Sequence, residues 1–172
     1  RVDGANWLES GTYNVKLEGA KITGYQTSLL VLLRDQNYVE NVKTLVSNLS
    51  NFLEKQIKEK MELDNSLYSL EFRLIGVNGA LGELETKVSK PTEVGVLCII
   101  TSKKISISNE IAKLINPFFL HYPLTDNEEL PTFAFPYSPV HSDRGCVYEF
   151  ALNHTLELNH PMEVFRIKTS EV

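Results

Sequence analysis

Leu29-Leu30-Val31-Leu32-Leu33 is an unbroken apolar run, followed at once by Arg34-Asp35. Five consecutive apolar side chains leave a strand no polar face. A strand of that kind belongs in the middle of a sheet, with something packed on each side. The run is predicted to be the core of a strand from about Thr27 to Arg34.

Asp35 is placed to cap the helix that follows, because its carboxylate can accept the unpaired N–H groups of a first turn. Val39, Val42, Leu45, Val46, Leu49, Phe52, Leu53 and Ile57 then recur at three- and four-residue spacing. That spacing draws one apolar stripe on a helix over about 37–60. Glu40, Lys43, Asn51, Lys55, Lys58 and Glu59 fall on its other face. Residues 67–75 alternate, with Tyr68, Leu70, Phe72 and Leu74 on one side and Ser69, Glu71 and Arg73 on the other. Alternation of this kind marks a half-buried strand at a sheet edge. Residues 94–101 are again apolar on both faces, a second central strand. Ser106 or Ser108 is predicted to cap a second helix burying Ile107, Ile111, Leu114, Ile115 and Phe118. Pro117 lacks an N–H and should kink or end that helix near Asn116. Cys146 to Leu158 alternate once more, with Tyr148, Phe150, Leu152 and His154 on the apolar face. His160-Pro161 then turns the chain, and residues 163–167 are predicted to add a short final strand. Upstream, Trp7-Leu8 precedes a short strand over Tyr13 to Glu18, with Gly19 and Gly24 bracketing a turn.

The order strand, helix, strand, strand, helix, strand is the split βαβ, ferredoxin-like plan: an α+β fold with an antiparallel sheet and two helices on one face. It places the first and third strands in the centre, and these are the two runs apolar on both faces. The predicted division is an N-terminal segment over 1–26, a ferredoxin-like sandwich over 27–158 and a C-terminal extension over 159–172. A proline-rich loop spans 123–145. Two helices cover only one face of the sheet, so the other apolar face calls for a cover. A few hundred Å² of apolar area at about 25 cal/mol per Å² is worth several kcal/mol.

A net charge of -5 with pI near 5.4, and no basic stripe, argue against a nucleic-acid partner. No apolar run reaches the roughly 18 residues of a membrane helix, so no membrane partner is expected. Two cysteines, Cys98 and Cys146, are too few for a disulfide framework, and a reducing, cytoplasmic setting is predicted. The chain opens on Arg1 rather than Met, which suggests a piece of a longer protein.

Several stretches resemble the C-terminal part of the acyclic terpene utilisation (AtuA-like) family. They are Gly24-Tyr25-Gln26-Thr27 leading to Leu33-Arg34-Asp35, then Phe72 to Gly79, and Glu93 to Val96. The more specific ones are Leu120-His121-Tyr122-Pro123, Phe133-Ala134-Phe135-Pro136-Tyr137-Ser138-Pro139 and Val147-Tyr148-Glu149-Phe150. The chain departs from the family pattern at Gln36, where Pro is common, and at residues 126–129, where Gly is common. The resemblance implies a longer protein with a large N-terminal α/β domain, found with genes for acyclic terpenoid or branched acyl breakdown. This chain would be an accessory or assembly domain, its partners that N-terminal domain or further copies of itself. The alternative it implies is part of an enzyme site for a branched acyl or terpenoid carboxylate, or its CoA ester, with an acyl ligand.

Candidate chemistry is sparse. Arg34 could clamp a carboxylate or phosphate in bidentate fashion, beside the capping Asp35. His121 could act as a general acid or base, with Tyr122 next to it. Arg34, His121 and Tyr122 are thus the catalytic candidates. Asp35, Tyr137, Ser138 and Arg144 join them as binding candidates. His141, Asp143, Arg144 and Cys146 lie together, but no small-residue elbow marks Cys146 as a nucleophile, and Ser138 lacks the Gly-x-Ser-x-Gly context of a hydrolase. His154 reads as a core histidine. The four histidines show no ligand spacing, and Gly76, Gly79, Gly82 and Gly95 form no phosphate-cradling loop, so neither metal nor cofactor is predicted.

Overall fold

Tyr13–Leu33 is one uninterrupted strand of 21 residues, β1. A computed structural model describes residues 2–6, 8, 11–87, 90–125, 133–160 and 162–170. Trp7, the acidic 126–129 stretch, Pro131 and Pro161 lie outside them. The remaining elements are α1 (Gln36–Glu40), α2 (Val42–Met61), β2 (Tyr68–Ile75), β3 (Val94–Ser102), α3 (Ile105–His121), β4 (Phe133–Ala134) and β5 (His141–Leu158). The fold is α+β with a five-stranded sheet in the order β2-β3-β1-β4, and β5 also pairs with β1. The β1–β3, β1–β4 and β2–β3 ladders are antiparallel.

The two apolar runs pair in the middle of the sheet, Leu29 opposite Cys98 and Val31 opposite Val96. Leu29, Val31, Leu33, Val94, Cys98 and Ile100 are all fully buried, on the face that α2 and α3 cover. Burying one such side chain is worth about 1.5–3 kcal/mol. The helix stripe is met almost residue for residue: Val39, Val42, Leu45, Val46, Leu49, Leu53 and Ile57 are buried. The edge strand β2 turns Tyr68 and Leu74 into the same core and leaves Ser69, Glu71 and Arg73 in solvent.

Several boundaries differ from the sequence prediction. The turn expected between Gly19 and Gly24 is absent, and the separate N-terminal strand is the first half of β1. These glycines serve close approach instead. A Cβ on Gly24 would lie 2.8 Å from the Ser102 carbonyl oxygen, and one on Gly19 would touch Leu152. The first helix is broken at Asn41 into α1 and α2. Lys104, not Ser106 or Ser108, precedes α3. Ser108 is buried inside the helix and donates to the Ile105 carbonyl at 3.1 Å. Pro117 does not end α3, which runs on to His121. Phe119, fully packed beside Phe72, and Phe118, edge-on to Phe52, hold the turns beyond the proline. β5 begins at His141, so its strand takes in the end of the proline-rich loop. Residues 163–167 form a bend and irregular chain, not a strand.

The chain divides into two compact units, Thr23–Val147 and Arg1–Ile22 with Tyr148–Val172. In the second, the outer halves of β1 and β5 run side by side, with Lys21 and Glu149 3.6 Å apart. Gly19 faces Leu152. By alternation Tyr13, Val15 and Leu17 therefore share a face with Leu152, His154, Leu156 and Leu158. Only Leu158 is buried there. His154, predicted as a core residue, is exposed, as are Tyr148, Phe150 and Leu152. Val15 and Leu156 on that face are half-buried, and Tyr13 and Leu17 are exposed.

Gly24→Ala is expected to destabilise the chain by about 1–3 kcal/mol, because the Ser102 carbonyl is backbone and cannot swing away. Gly11→Ala, where an added Cβ meets nothing within 4 Å, should stay within about 0.5 kcal/mol of the parent. Urea unfolding of the two variants checks both.

Candidate functional site

The face of the sheet away from the helices is set by strand parity. With Leu29, Val31, Val96 and Cys98 turned inward, Leu30, Leu32, Leu97 and Ile99 must turn the other way. All four are half-buried, not exposed. Leu30 pairs with Leu97 and Ser28 with Ile99 across the β1–β3 ladder. Toward β2 the face is finished by Arg73 and Glu71, whose side chains meet at 2.7 Å, and by the exposed Ile75.

Over the β1 side of this face runs the segment from Tyr137 to Arg144, entered through the cis Ser138–Pro139 bond. It forms a hollow of ≈ 610 Å³ whose walls include Ser28, Leu30, Tyr137, Ser138, His141 and Arg144. A second, adjoining hollow of ≈ 260 Å³ has Leu30, Leu97 and Ile99 as its apolar floor, with Tyr137 and Arg144 again at its rim. Three of the candidate binding residues, Tyr137, Ser138 and Arg144, therefore come together. All three are exposed. Asp143, the one acid on the rim, uses its carboxylate to accept the Gly145 N–H at 2.7 Å, where the chain takes a positive φ of 77°. That φ is comfortable only for glycine among ordinary residues. His141 has its Nδ1 buried without a hydrogen-bond partner among the described residues. A buried polar atom in that state is costly and is best satisfied by something brought to it.

The other candidates lie elsewhere. Asp35 caps α1, its carboxylate accepting the Tyr38 N–H at 3.2 Å. Arg34 is exposed and sits 3.9 Å from Glu93, an ion pair in water that contributes little. His121 is the exposed last residue of α3. Tyr122 packs its ring 5.2 Å from Phe52 and belongs to the helix layer. Arg34, Asp35, His121 and Tyr122 are absent from the walls of both hollows.

The floor residues Ser28, Leu30, Leu97 and Ile99 carried no functional signal in the sequence. Parity of the central strands was the available clue, since it assigns them to the uncovered face. Cys98 is fully buried, and that burial pushes its thiol well above the usual range. Cys146 is half-buried, and both thiols are free. No group of three or more His, Cys, Asp or Glu able to hold a metal occurs among the described residues. No described helix is long and apolar enough to cross a membrane.

Compared with known proteins, the chain matches no family model and no curated protein.

An alkylating reagent at pH 8 should label Cys146 alone in the folded chain and both cysteines in denaturant. Peptide mapping by mass spectrometry checks this; early labelling of Cys98 would contradict its burial.

Proposed function

We propose that this chain is an accessory, assembly domain that packs the Leu30–Leu32–Leu97–Ile99 face of its sheet on another domain or subunit. The observation that carries the reading is that face: apolar, set by strand parity, and only half-buried. An apolar sheet face left partly open to water is a mark of an interaction surface. The exposed apolar row of Tyr13, Leu17 and Leu152 in the other unit is a second, separate support.

The finer description of the fold as ferredoxin-like belongs to this reading. It is supported by β1 and β3 at the centre, β2 at an edge and β5 on β1. The short β4 beside Leu32 and Leu33 departs from the plain plan. The resemblance to the AtuA-like family enters at the same level. Its most specific stretch, Phe133 to Pro139, pairs with β1 at one end and lines the larger hollow at the other. On this reading the chain is the C-terminal part of such a protein, working in the cytoplasm. The two free thiols suit that setting.

Light scattering over a concentration series tests the packing. A dimer or larger assembly is expected, with Leu97→Asp returning the chain to a monomer of unchanged far-ultraviolet circular dichroism. A chain that stays monomeric at high concentration and fails to bind a dye for exposed apolar surface would overturn the reading. Association untouched by Leu97→Asp would move the contact off this face.

A further inference from the structure

Antiparallel pairing sets the residues of the sheet face away from the helices side by side in rows. Glu71 on β2 stands opposite Ile99 on β3, and Ile99 stands opposite Ser28 on β1. The next row holds Arg73, Leu97 and Leu30. A strand has two edges, and β3 takes one edge of β1, so β4 and β5 share the other. Arg144, on β5, therefore lies beyond β1, and it borders the smaller hollow together with Ser28, Leu30, Leu97 and Ile99. One row of the face thus runs from a carboxylate on the β2 side, through Ile99 and Ser28, to a guanidinium on the β5 side.

Both end groups are exposed. Arg144 is the one charged residue at the smaller hollow, and none of the ion pairs among the described residues uses it. Its neighbour Asp143 keeps its negative charge but borders the larger hollow and not the smaller, its carboxylate accepting the Gly145 N–H. Glu71 is held from one side: Arg73 Nε meets its Oε1 at 2.7 Å, and its second oxygen has no partner among the described residues. Both side chains of that pair are about half exposed, and an ion pair so wetted contributes little by itself.

A charge of each sign at opposite ends of one row makes the face complementary to itself. Turning a second copy over about a two-fold axis that lies along the strands, between β1 and β3, brings the β2 side of each copy onto the β5 side of the other. Level along the strands is kept. Leu97 of each copy then meets Leu30 of the other, because the two share a row. Glu71 of each meets Arg144 of the other, so every contact occurs twice, as two-fold symmetry requires. Sheets packed face to face keep their strand directions within about 30° and lie about 10 Å apart, a gap that a glutamate and an arginine side chain span together.

We propose that the occupant of this face is a second copy of this chain, related by that two-fold axis, with Glu71 of each copy paired to Arg144 of the other around a Leu30–Leu97 centre. This dimer rests on the reading of the sheet face as a packing surface and gives that surface its partner.

Charge exchange between two variants tests the pairing, followed by light scattering and by native mass spectrometry. Glu71→Arg leaves only guanidinium groups at the contact, and Arg144→Glu leaves only carboxylates. Each variant alone is expected to dimerise roughly tenfold more weakly than the parent. An equimolar mixture of the two should dimerise again, as a mixed dimer in excess over either homodimer, because each contact between unlike copies then joins a guanidinium to a carboxylate. Glu59→Arg, on the exposed side of α2, should leave the dimer unchanged. Far-ultraviolet circular dichroism establishes that each variant is folded. A dimer that Leu97→Asp abolishes and neither charge variant weakens would overturn the pairing and leave the sheet-face reading in place. Single losses that the mixture fails to repair would overturn it as well. So would a loss with Glu59→Arg as large as with Glu71→Arg, because net charge and not the contact would then be responsible. A chain that is monomeric at every concentration yet binds a dye for exposed apolar surface would overturn it and assign the face to another domain. The same monomer without dye binding would overturn both readings.

Discussion

The molecule depends on the complete removal of one face of β1 and β3 from water. Leu29, Val31 and Leu33 have no exposed surface, and neither do Val94, Cys98 and Ile100 on the partner strand. Their antiparallel register brings the two rows onto one side, where the stripes of α2 and α3 close over them. The buried hydroxyls of Thr27 and Ser108 are paired. The Thr27 hydroxyl donates to the Asn109 side-chain oxygen at 2.6 Å and lies 3.0 Å from Ser108 Oγ, tying β1 to α3. Such bonds stabilise modestly when made and cost more when broken.

The same constraint sets the character of the opposite face of the sheet. Side chains in a strand alternate with a period of two, so sealing Leu29 and Val31 under the helices turns Leu30 and Leu32 outward. A slip of one residue would reverse both faces at once. The sealed face holds the register, and the opposite face inherits whatever residues remain. Here those are Leu30, Leu32, Leu97 and Ile99, partly roofed by the segment Tyr137 to Arg144. The roof carries local devices of its own: the Asp143 carboxylate accepts the Gly145 N–H, and Gly145 takes a positive φ.

Much of this was legible in the residues. The helix stripe from Val39 to Ile57, the edge alternation of β2, the capping role of Asp35 and the burial of Cys98 all follow from short-range periodicity or local hydrogen bonding. The misses have a common cause. Gly19 and Gly24 look like turn residues until Ser102 and Leu152 are seen where a Cβ would go. Pro117 looks like a helix stop until Phe118 and Phe119 are seen packed on Phe52 and Phe72. Ser108 looks like a cap until Thr27 is found beside it. In each instance a residue distant in sequence overrides a local preference worth about 1–3 kcal/mol. The candidate site was half legible. Tyr137, Ser138 and Arg144 share a hollow, whereas Arg34 and Asp35 serve an ion pair and a helix cap.

By itself the sequence determined the elements, the two central strands and the existence of a second apolar sheet face, because those depend on spacing along the chain. Tertiary structure alone decided that β1 runs unbroken for 21 residues, that the loop's end becomes β5, and that Tyr137, Ser138 and Arg144 border one hollow with Leu30. Leu30 lies more than one hundred positions from those three residues. No pattern along the chain records a proximity that arises only when β4 and β5 pair with β1 and bring the segment between them over the sheet.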